Sequence, residues 1–337
     1  MERTPAPTGK VAGAGVRIVK VPEDRDGQRL DNFLFNQLKG VPKTHVYRLL
    51  RTGQVRVNGK RAKPDARVAG GDDVRIPPVR MAEPGEQPRA SERSLQALSA
   101  AIVAEDRNFI ALDKPSGLAS HGGSGISLGA IESIRQLRPK ESLELVHRLD
   151  RDTSGVLLIA RKRSALAGVQ AAIREGRVHK RYLTLLVGKL PRASVKVDAA
   201  LEKSVLRGGE RLVEVSEHGK ASRSEFRLVQ AFRGYSYCEV IIDTGRTHQI
   251  RVHLEANGTP ILGDKLYGRP DADYLAFVAR VKRDHDARQV PAGEPDRHLL
   301  HASELEFTHP LHGGRVRFHA ALPIAITSLG TFSAAAP

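Results

Sequence analysis

Residues 147–160 have the sequence HRLDRDTSGVLLIA, a polar turn that leads directly into an apolar run. Five of the first six residues carry charged or titratable side chains, and residues 156–160 are all aliphatic. Polar turn residues ahead of a buried strand lie at the edge of a sheet, where a rigid base can position them. The stretch therefore predicts a buried strand with a candidate site at its start, against the alternative of an ordinary solvated turn.

Further extended and helical segments surround this strand. Apolar runs of strand length occur at Phe109–Leu112, Tyr182–Val187, Glu225–Val229 and Tyr237–Ile242. Helical spacing of apolar residues is clearest over Ser164–Glu175 and next over Ser127–Gln136. This mixture predicts an α+β domain over residues 101–327, built on a mixed, largely antiparallel β-sheet with flanking helices.

A smaller unit is expected ahead of this domain, over residues 21–80. Apolar residues recur at helical spacing over Leu30–Leu38, and a second helix fits Lys43–Thr52. Asn58-Gly59 lies between two short extended pieces, which is a strong hairpin signal, and Val74–Ile76 provides a further strand. The order helix, helix, hairpin and strand predicts a small α/β domain.

Composition also suggests three segments outside the two domains. We expect a flexible N-terminal arm over residues 1–20, with a short strand at Val16–Val21. Proline, glycine and mixed charge predict a linker over 81–100, and small residues predict a frayed tail over 328–337.

The chain is strongly basic, with 54 Lys and Arg against 38 Asp and Glu, a net charge of +16 and a pI near 10.2. The segment Gly27–Arg80 holds 12 basic and 4 acidic residues, a net charge of +8 and half of the excess. Such a field attracts polyanions, of which nucleic acid is the commonest. A solvated charged face is the plainer alternative. The basic residues predicted to bind RNA here are Lys43, Arg48, Arg51, Lys60 and Arg61.

Several classes of site are excluded or disfavoured by the composition. The single cysteine, Cys238, lies in an apolar run and is expected in a buried strand, so an intramolecular disulfide and a multi-cysteine zinc site are excluded. The spacing of His298 and His301 is expected to be structural, and we predict no metal. No apolar run approaches the roughly 18 residues of a membrane span, so we expect a cytoplasmic protein.

A second polar segment, DTGRTHQIRVHL at 243–254, follows another apolar strand. From Thr247 onward its pattern is helical, and Arg251 is positioned to project its guanidinium toward a carboxylate. An arginine beside Asp150 would lower the pKa of that carboxyl and keep it ionised. The alternative is a surface arginine in weak ion pairs.

These segments together resemble one enzyme family. HRLDRDTSG at 147–155 is similar, at every fixed position, to the signature HRLDxxTSG of the RluA-type pseudouridine synthases, and TGRTHQIRVHL at 244–254 resembles another motif of that family. Further similar segments follow in the family's order: KPSGLASHGG at 114–123, KRYLTLLVG at 180–188, ILGDKLYG at 261–268 and RHLLHASELEFTHP at 297–310. Residues 21–80 resemble the S-four-type, or alpha-L, RNA-binding domain, and their details look most similar to the RluC branch.

The resemblance implies a function and a set of residue roles. The family's RluC branch isomerises several uridines of large-subunit ribosomal RNA to pseudouridine by base flipping; no cofactor is needed, and a monomer is expected. Asp150 matches the catalytic aspartate, Arg251 the arginine paired with it and Tyr182 the tyrosine that stacks on the target base. Arg148 matches an arginine that fills the gap left by the flipped nucleotide. The other predicted RNA- and base-binding residues of this domain are His147, Thr153, Arg246, His248 and Gln249.

The reaction itself makes demands that these residues meet. Uridine must lose its N1–C1′ bond, rotate in place and rejoin through C5, after leaving the RNA stack. An aromatic face holds an extruded base. A carboxylate close to C1′ can act as a nucleophile or can take a proton from C2′, and the sequence leaves both routes open.

Two other function classes fit parts of the sequence, and one segment departs from the family. Asp150 and Asp152 could serve as the paired carboxylates of a glycoside-cleaving enzyme. The basic N-terminal unit alone fits a non-enzymatic RNA-binding or ribosome-assembly protein. The stretch Arg269–Asp296 is longer than the family leads us to expect. We favour a plain surface insertion there over a mobile loop that contacts RNA.

Overall fold

The fold is that of a computed structural model, which describes residues 15–38, 41, 43–79, 89–122, 128–207, 210–232, 234–268, 297–323 and 326. The chain divides into two compact units, residues 1–88 and 89–337. Each unit has its own hydrophobic core.

The first unit combines two helices with a four-stranded antiparallel sheet. The helices α1 and α2 span Leu30–Gln37 and Lys43–Arg51, and a short 3-10 turn covers Glu23–Arg25. The strands β1 to β4 span Arg17–Lys20, Arg56–Val57, Lys60–Arg61 and Asp73–Ile76, in the spatial order β1-β4-β2-β3. One core joins apolar residues of both helices to the sheet; it includes Leu30, Phe33, Leu34, Val46, Leu49, Leu50, Val74 and Ile76.

The predicted hairpin is confirmed at Asn58-Gly59, which connects β2 to β3. Both residues have positive φ, 48° and 76°, the conformation of the two-residue turn whose twist suits a hairpin. The Asn58 side chain accepts a hydrogen bond from the Asp73 N–H (2.8 Å) and donates one to an Asp72 carboxylate oxygen (2.7 Å). The turn is therefore tied to the start of β4.

The short strand predicted at Val16–Val21, within the arm expected over residues 1–20, is confirmed. Arg17–Lys20 form β1, which pairs in antiparallel register with β4 from Arg17 opposite Ile76 to Lys20 opposite Asp73. The side chains of this strand are mostly exposed, so its stability comes mainly from the main-chain ladder with β4. Residues 1–14 lie outside the described residues.

Within its described residues, the second unit contains four helices and twelve strands. Helices α3 to α6 span Glu92–Ala100, Ala130–Leu137, Arg163–Arg174 and Gln249–Ala256. Strands β5 to β10 span Ile102–Glu105, Phe109–Lys114, Glu144–Leu145, Ser154–Ala160, His179–Val187 and Ser194–Asp198. Strands β11 to β16 span Leu201–Arg207, Glu210–Val215, Arg223–Ala231, Tyr235–Ile242, Leu300–Thr308 and Arg315–His319.

Ten of these strands form one large sheet. Eight of them lie side by side in the order β10-β13-β14-β9-β15-β8-β6-β5; in addition, β16 pairs with β15 and β7 pairs with β8. All described pairings are antiparallel except β8 with β15, which run parallel. The strands β11 and β12 form a separate hairpin. The predicted α+β class with a mixed, largely antiparallel sheet is confirmed. No helix within the described ranges is both long and apolar enough to cross a membrane.

Strand β8 is buried on both faces, which explains its unbroken apolar sequence. Leu157 and Ile159 point into one core cluster, where α4 also packs. Val156, Leu158 and Ala160 point into a second cluster that includes residues of α5. The alternation along the strand places β8 at the centre of the unit, so that the polar turn before it has a rigid support.

The prediction of a linker over 81–100 is wrong in its second half, where Glu92–Ala100 form α3. Ser91 caps this helix by accepting a hydrogen bond from the Ser94 N–H at 3.2 Å. Leu98 lies in the core with residues of α4. Leu98 is the buried residue of this helix, so the segment has too little apolar content for its sequence pattern to indicate a helix. The predictions for 269–296 and for the tail at 328–337 fall outside the described residues.

Candidate active site

The polar turn at 147–155 is anchored by backbone pairing where it enters the sheet. Ser154 and Gly155 lie opposite His301 and Ala302 in the parallel pair of β8 and β15. Gly155 has a φ of 107°, and a Cβ at this position would overlap the Ala302 backbone. Glycine is required by both the conformation and the close approach, and the turn is thereby fixed at the start of β8.

Lys114, at the end of β6, anchors the turn from inside the unit. Its side chain is fully buried, and Nζ donates to the carbonyl oxygens of Pro115 (2.9 Å), Leu118 (2.7 Å) and Arg151 (2.9 Å). Three acceptors match the three N–H groups of an ammonium. Burial lowers the pKa of Lys114 to about 7, although nearby carboxylates act in the opposite direction. Lys114 begins the motif KPSGLASHGG, and its role as an anchor was not predicted from the sequence.

Two serines fix the backbone on either side of Asp150. The Ser120 hydroxyl donates to the Leu149 carbonyl (2.7 Å) and accepts from the Leu149 N–H (2.9 Å). The Ser116 hydroxyl donates to the Asp152 carbonyl at 2.8 Å. The position of the Asp150 side chain is therefore set by a backbone with little freedom to move.

The predicted neighbour of Asp150 is Arg251, and the structure brings the two together. Arg251 projects from α6 and donates from Nη1 to Asp150 Oδ2 at 3.2 Å. The same guanidinium makes two hydrogen bonds to Asp264, from Nε at 2.7 Å and from Nη2 at 2.9 Å. Asp264 Oδ1 also accepts from the N–H groups of Leu266 and Tyr267. Arg251 thus joins an open carboxylate to a fully buried one.

Tyr267 and His248 complete this cluster. The Arg251 guanidinium lies 4.9 Å from the centroid of the Tyr267 ring, a cation–π distance. The Tyr267 hydroxyl accepts from the Val213 N–H (2.9 Å) and lies 2.8 Å from His248 Nδ1. The other ring nitrogen of His248 lies 4.0 Å from Asp150 Oδ1. Asp264 and Tyr267 both lie in the family-like segment ILGDKLYG, but neither was predicted as a site residue.

The surroundings keep the Asp150 carboxyl ionised. Burial by itself would raise its pKa, but His248, Arg251 and His298 act against burial and the pKa lies below its ordinary value. The side chain keeps 26% of its surface exposed, so a ligand in the cleft can reach it. The deeply buried Asp264 has a pKa below its ordinary value as well, mainly because its bonds to Arg251 outweigh burial.

Asp150 opens into a cleft of about 420 Å³, measured with its open mouth. The cleft is lined by Arg148, Leu149, Asp150, Thr153, Tyr182, Ile242, Gly245, Arg246, His248, Gln249, Ile250, Arg251 and Leu300. Tyr182 lies on β9 and is 9% exposed. Burial raises the pKa of its hydroxyl and the charge of Asp150 adds to that effect. The ring is therefore a neutral, largely apolar wall within electrostatic reach of the carboxylate.

Two buried histidines of the segment RHLLHA hold the end of the turn. His298 Nε2 lies 2.8 Å from the Thr153 hydroxyl, and His301 Nδ1 lies 3.0 Å from the Ser154 hydroxyl. Burial lowers the pKa of both histidines to about 4, so both are neutral near pH 7. Their predicted structural role agrees with these contacts. Among the residues that the structure describes, no group of three potential ligands could hold a metal ion.

Other predicted residues take different positions. Arg148 is exposed at the cleft, where its Nη1 lies 3.0 Å from His121 Nε2. Arg246 is exposed at the cleft and donates to the Ala221 carbonyl at 3.2 Å. His147 is not among the residues that line the cleft: its Nε2 accepts from the Leu158 N–H at 3.2 Å, and burial lowers its pKa to about 4. Its geometry supports an anchoring role in the turn more than contact with RNA.

Gln249 lines the cleft, but its amide is occupied by the protein. Its Oε1 accepts from the Thr244 hydroxyl (2.7 Å) and the Arg246 N–H (3.0 Å). Its Nε2 donates to the Arg223 carbonyl (2.8 Å) and the Ser224 hydroxyl (3.0 Å). These four contacts indicate that Gln249 shapes the loop before α6. The alternative with two paired carboxylates loses support, since Asp150 lines the cleft and Asp152 does not.

Several described basic residues of the first unit are exposed on its surface. The exposed members on α2, β2 and β3 are Arg48, Arg51, Arg56, Lys60 and Arg61. The Arg61 side chain packs on Gly53, where a Cβ would overlap it. Lys43 begins α2, and its side chain lies outside the described part of the structure. Within this unit, these exposed cations form the candidate RNA-binding surface.

Comparison with known proteins identifies both units. The family described as RNA pseudouridylate synthase matches residues 108–256, and the S4 domain matches residues 28–74. The chain is 46% identical over 316 residues to the ribosomal large subunit pseudouridine synthase C of Escherichia coli (strain K12), covering 92% of this chain and 94% of that protein. The protein of the same name from Haemophilus influenzae is 44% identical over 315 residues, covering 93% and 94%.

Solved structures share the fold at lower identity. Human RNA Pseudouridylate Synthase Domain Containing 4 superposes with a TM-score of 0.55 at 24% identity, covering 71% of this chain and 95% of that chain. Human RNA Pseudouridylate Synthase Domain Containing 1 gives a TM-score of 0.52 at 24% identity, covering 76% and 99%. These likenesses support the fold.

Proposed function

Because the chain belongs to the RNA pseudouridylate synthase family, we propose that it isomerises specific uridines of large-subunit ribosomal RNA to pseudouridine, with Asp150 as the catalytic carboxylate. The substrate class follows from the bacterial relatives, which are named as enzymes of the ribosomal large subunit. One observation carries the proposal: the ionised Asp150 carboxylate, bonded to Arg251 at 3.2 Å, opens into the cleft that Tyr182 also lines.

The target uridine must leave the RNA stack before Asp150 can reach its ribose. Extruding a base costs a few kcal/mol. The Tyr182 ring, which lines the cleft, supplies a face for the extruded base, and stacking of this kind is worth about 1–3 kcal/mol. Arg148, exposed at the rim of the cleft, is positioned to enter the gap that the nucleotide leaves in the RNA.

The carboxylate of Asp150 then acts at the ribose. The N1–C1′ bond breaks, and its electron pair leaves with the uracil. The carboxylate either bonds to C1′ or takes the C2′ proton. The uracil then turns and C5 bonds to C1′, while the bond from Asp150 to C1′ breaks or the proton returns to C2′. C5 then loses its proton to solvent and N1 gains one. The low pKa of Asp150 supports both routes, since each requires the ionised form.

The first unit is proposed to hold the RNA through its phosphates. Its S4 domain carries the exposed cations of α2, β2 and β3, and phosphate contacts of this kind are independent of sequence. The uridine-specific chemistry belongs to the second unit. We further propose that the protein acts as a monomer in the cytoplasm, where ribosomal RNA is made and assembled.

A modification map tests this proposal. Ribosomal RNA from a strain that lacks the gene, from its parent and from a strain with only Asp150→Ala is treated with carbodiimide and read by reverse transcription. We expect specific large-subunit stops in the parent alone. Identical maps in all three strains would contradict the proposal, and release of free uracil would support the glycoside-cleaving alternative.

A further inference from the structure

The position of His248 in the cleft is set by an uncommon backbone conformation. His248 precedes α6 with a φ of 53°, in the left-handed region that residues other than glycine seldom adopt. Its side chain is 14% exposed and lines the cleft, and its ring makes an edge contact with Tyr267 at 5.5 Å between centroids. Strained residues of this kind occur most often at functional sites.

The hydrogen bonds of Tyr267 favour one tautomer of His248, with the proton on Nε2. The Tyr267 oxygen accepts from the Val213 N–H at 2.9 Å, and this N–H can only donate. The phenol has one proton to donate, and His248 Nδ1 lies 2.8 Å away, where it can accept this proton in a hydrogen bond. With Nδ1 accepting, the neutral imidazole carries its proton on Nε2.

That N–H lies on the substrate side of the cluster. His248 Nε2 is 4.0 Å from Asp150 Oδ1, whereas Arg251 bonds to the other carboxylate oxygen, Oδ2. A distance of 4.0 Å is too long for a direct hydrogen bond. An oxygen atom placed to one side of the line between the two groups can be within hydrogen-bonding reach of both. A substrate atom beside Asp150 is therefore beside His248 as well.

We propose that His248 is a second catalytic residue, which donates a hydrogen bond from Nε2 to the uracil as it leaves the ribose. This inference rests on the proposed function and deepens it. When the N1–C1′ bond breaks, the electron pair passes to the uracil and is shared by N1 and the carbonyl oxygens O2 and O4. The carbonyl next to N1 is O2, which is the acceptor nearest to the ribose. Asp150 receives either C1′ or the C2′ proton, so the step needs no further reactant.

A fixed hydrogen-bond donor that points at the negative charge formed in the transition state raises the reaction rate by a known order of magnitude. Loss of one such donor lowers a rate about 100- to 1000-fold. His248→Ala is therefore expected to lower the single-turnover rate on saturating RNA by about 100-fold or more, with RNA affinity little changed. His248→Gln keeps an N–H near the place of Nε2 and should recover at least a tenth of the lost rate. His218→Ala, which removes an exposed histidine outside the cleft, is the matched control.

A change of leaving group separates catalysis from a purely structural effect. Fluorine at C5 makes the uracil anion more stable, so 5-fluorouridine needs less help to leave. The rate is measured as loss of the starting nucleotide from uridine RNA and from 5-fluorouridine RNA. We expect the deficit of His248→Ala to shrink at least several-fold on the fluorinated RNA. Equal deficits on both RNAs, or a His248→Gln rate no higher than that of His248→Ala, would overturn the assignment.

The tautomer is tested by nitrogen NMR on the full-length protein with labelled histidine. We expect a proton on His248 Nε2 and none on Nδ1, and Tyr267→Phe should abolish this preference. A proton on Nδ1 would refute the relay from Tyr267. A wild-type enzyme that modifies a different RNA would refute only the ribosomal substrate, and the His248 comparison would then use that RNA.

Discussion

Arg251 is bonded more fully to Asp264 than to Asp150. Two hydrogen bonds of 2.7 and 2.9 Å join the guanidinium to the buried Asp264, and one of 3.2 Å joins it to Asp150. Asp264 is in turn held by two backbone N–H groups. The orientation of the arginine is thus set from inside the protein, and its Nη1 is held against the Asp150 carboxylate at the cleft.

Asp264→Asn should lower both stability and turnover. Removing one partner of a buried ion pair costs about 3–5 kcal/mol, because the remaining charge stays buried. We expect a loss of unfolding free energy of that order, together with at least a tenfold fall in single-turnover rate. Denaturant titration and tritium release from labelled RNA measure the two effects. Glu255→Gln, an exposed position on α6, is the control. A variant as stable and active as wild type would contradict this account.

Arg251→Met should move the acid limb of the pH–rate profile to higher pH. Burial raises the pKa of Asp150 while His248, Arg251 and His298 lower it. Without the guanidinium, the carboxyl gains its proton at a higher pH, and the active ionised form is lost earlier as the pH falls. Single-turnover rates between pH 4 and pH 8 test this. If the acid limb stays where it is in wild type, Arg251 does not control the ionisation of Asp150.

Reversing charge on the first unit should weaken RNA binding and reduce its salt dependence. Each phosphate contact releases counterions, which contributes about 0.7–0.9 to the slope of log affinity against log salt. Triple replacement of Arg48, Arg51 and Lys60 by Glu should therefore lower the slope by roughly 2. Reversal of Arg177, exposed in the second unit and paired with Glu175, is the control. An unchanged slope in the triple variant would remove these residues from the RNA-binding surface.

His298 should make stability depend on mildly acidic pH. Burial lowers its pKa from 6.5 to about 4. Between these values the unfolded chain binds a proton that the folded chain does not, so stability falls as the pH drops below 6.5. At pH 5 this one group accounts for about 2 kcal/mol of the loss. Unfolding free energies at pH 7 and pH 5 should differ less in His298→Gln than in wild type.

The exposed His218 is the matched control, since His218→Gln should leave the pH dependence of unfolding unchanged. Equal pH dependence in wild type and His298→Gln would show that His298 is protonated in the folded protein.

The sequence predicted those parts of the molecule where a local pattern decides the structure. The apolar run of β8, the Asn58-Gly59 turn and the buried strand that holds Cys238 each follow from a few neighbouring residues, and all three are confirmed. The pairing of Arg251 with Asp150 was expected from motif resemblance and a helical pattern, and the structure brings these residues together.

The missed features depend on contacts between residues that are distant in the chain. Asp264 is an ordinary acidic residue of a turn until α6 brings Arg251 against it. The three carbonyl oxygens that accept hydrogen bonds from the Lys114 ammonium lie in two turns outside its own strand. Spacing along the chain carries no information about such partners.

The parallel pairing of β8 with β15 determines when the active site can be completed during synthesis of the chain. The turn that carries Asp150 is steadied by His298 and His301, which follow it by almost half the length of the chain. A nascent chain that has emerged only as far as α6 contains Asp150 and Arg251 but lacks both histidines and the strand that pairs with Ser154 and Gly155. The enzyme is therefore expected to remain inactive on the translating ribosome until nearly all of the second unit has emerged from it.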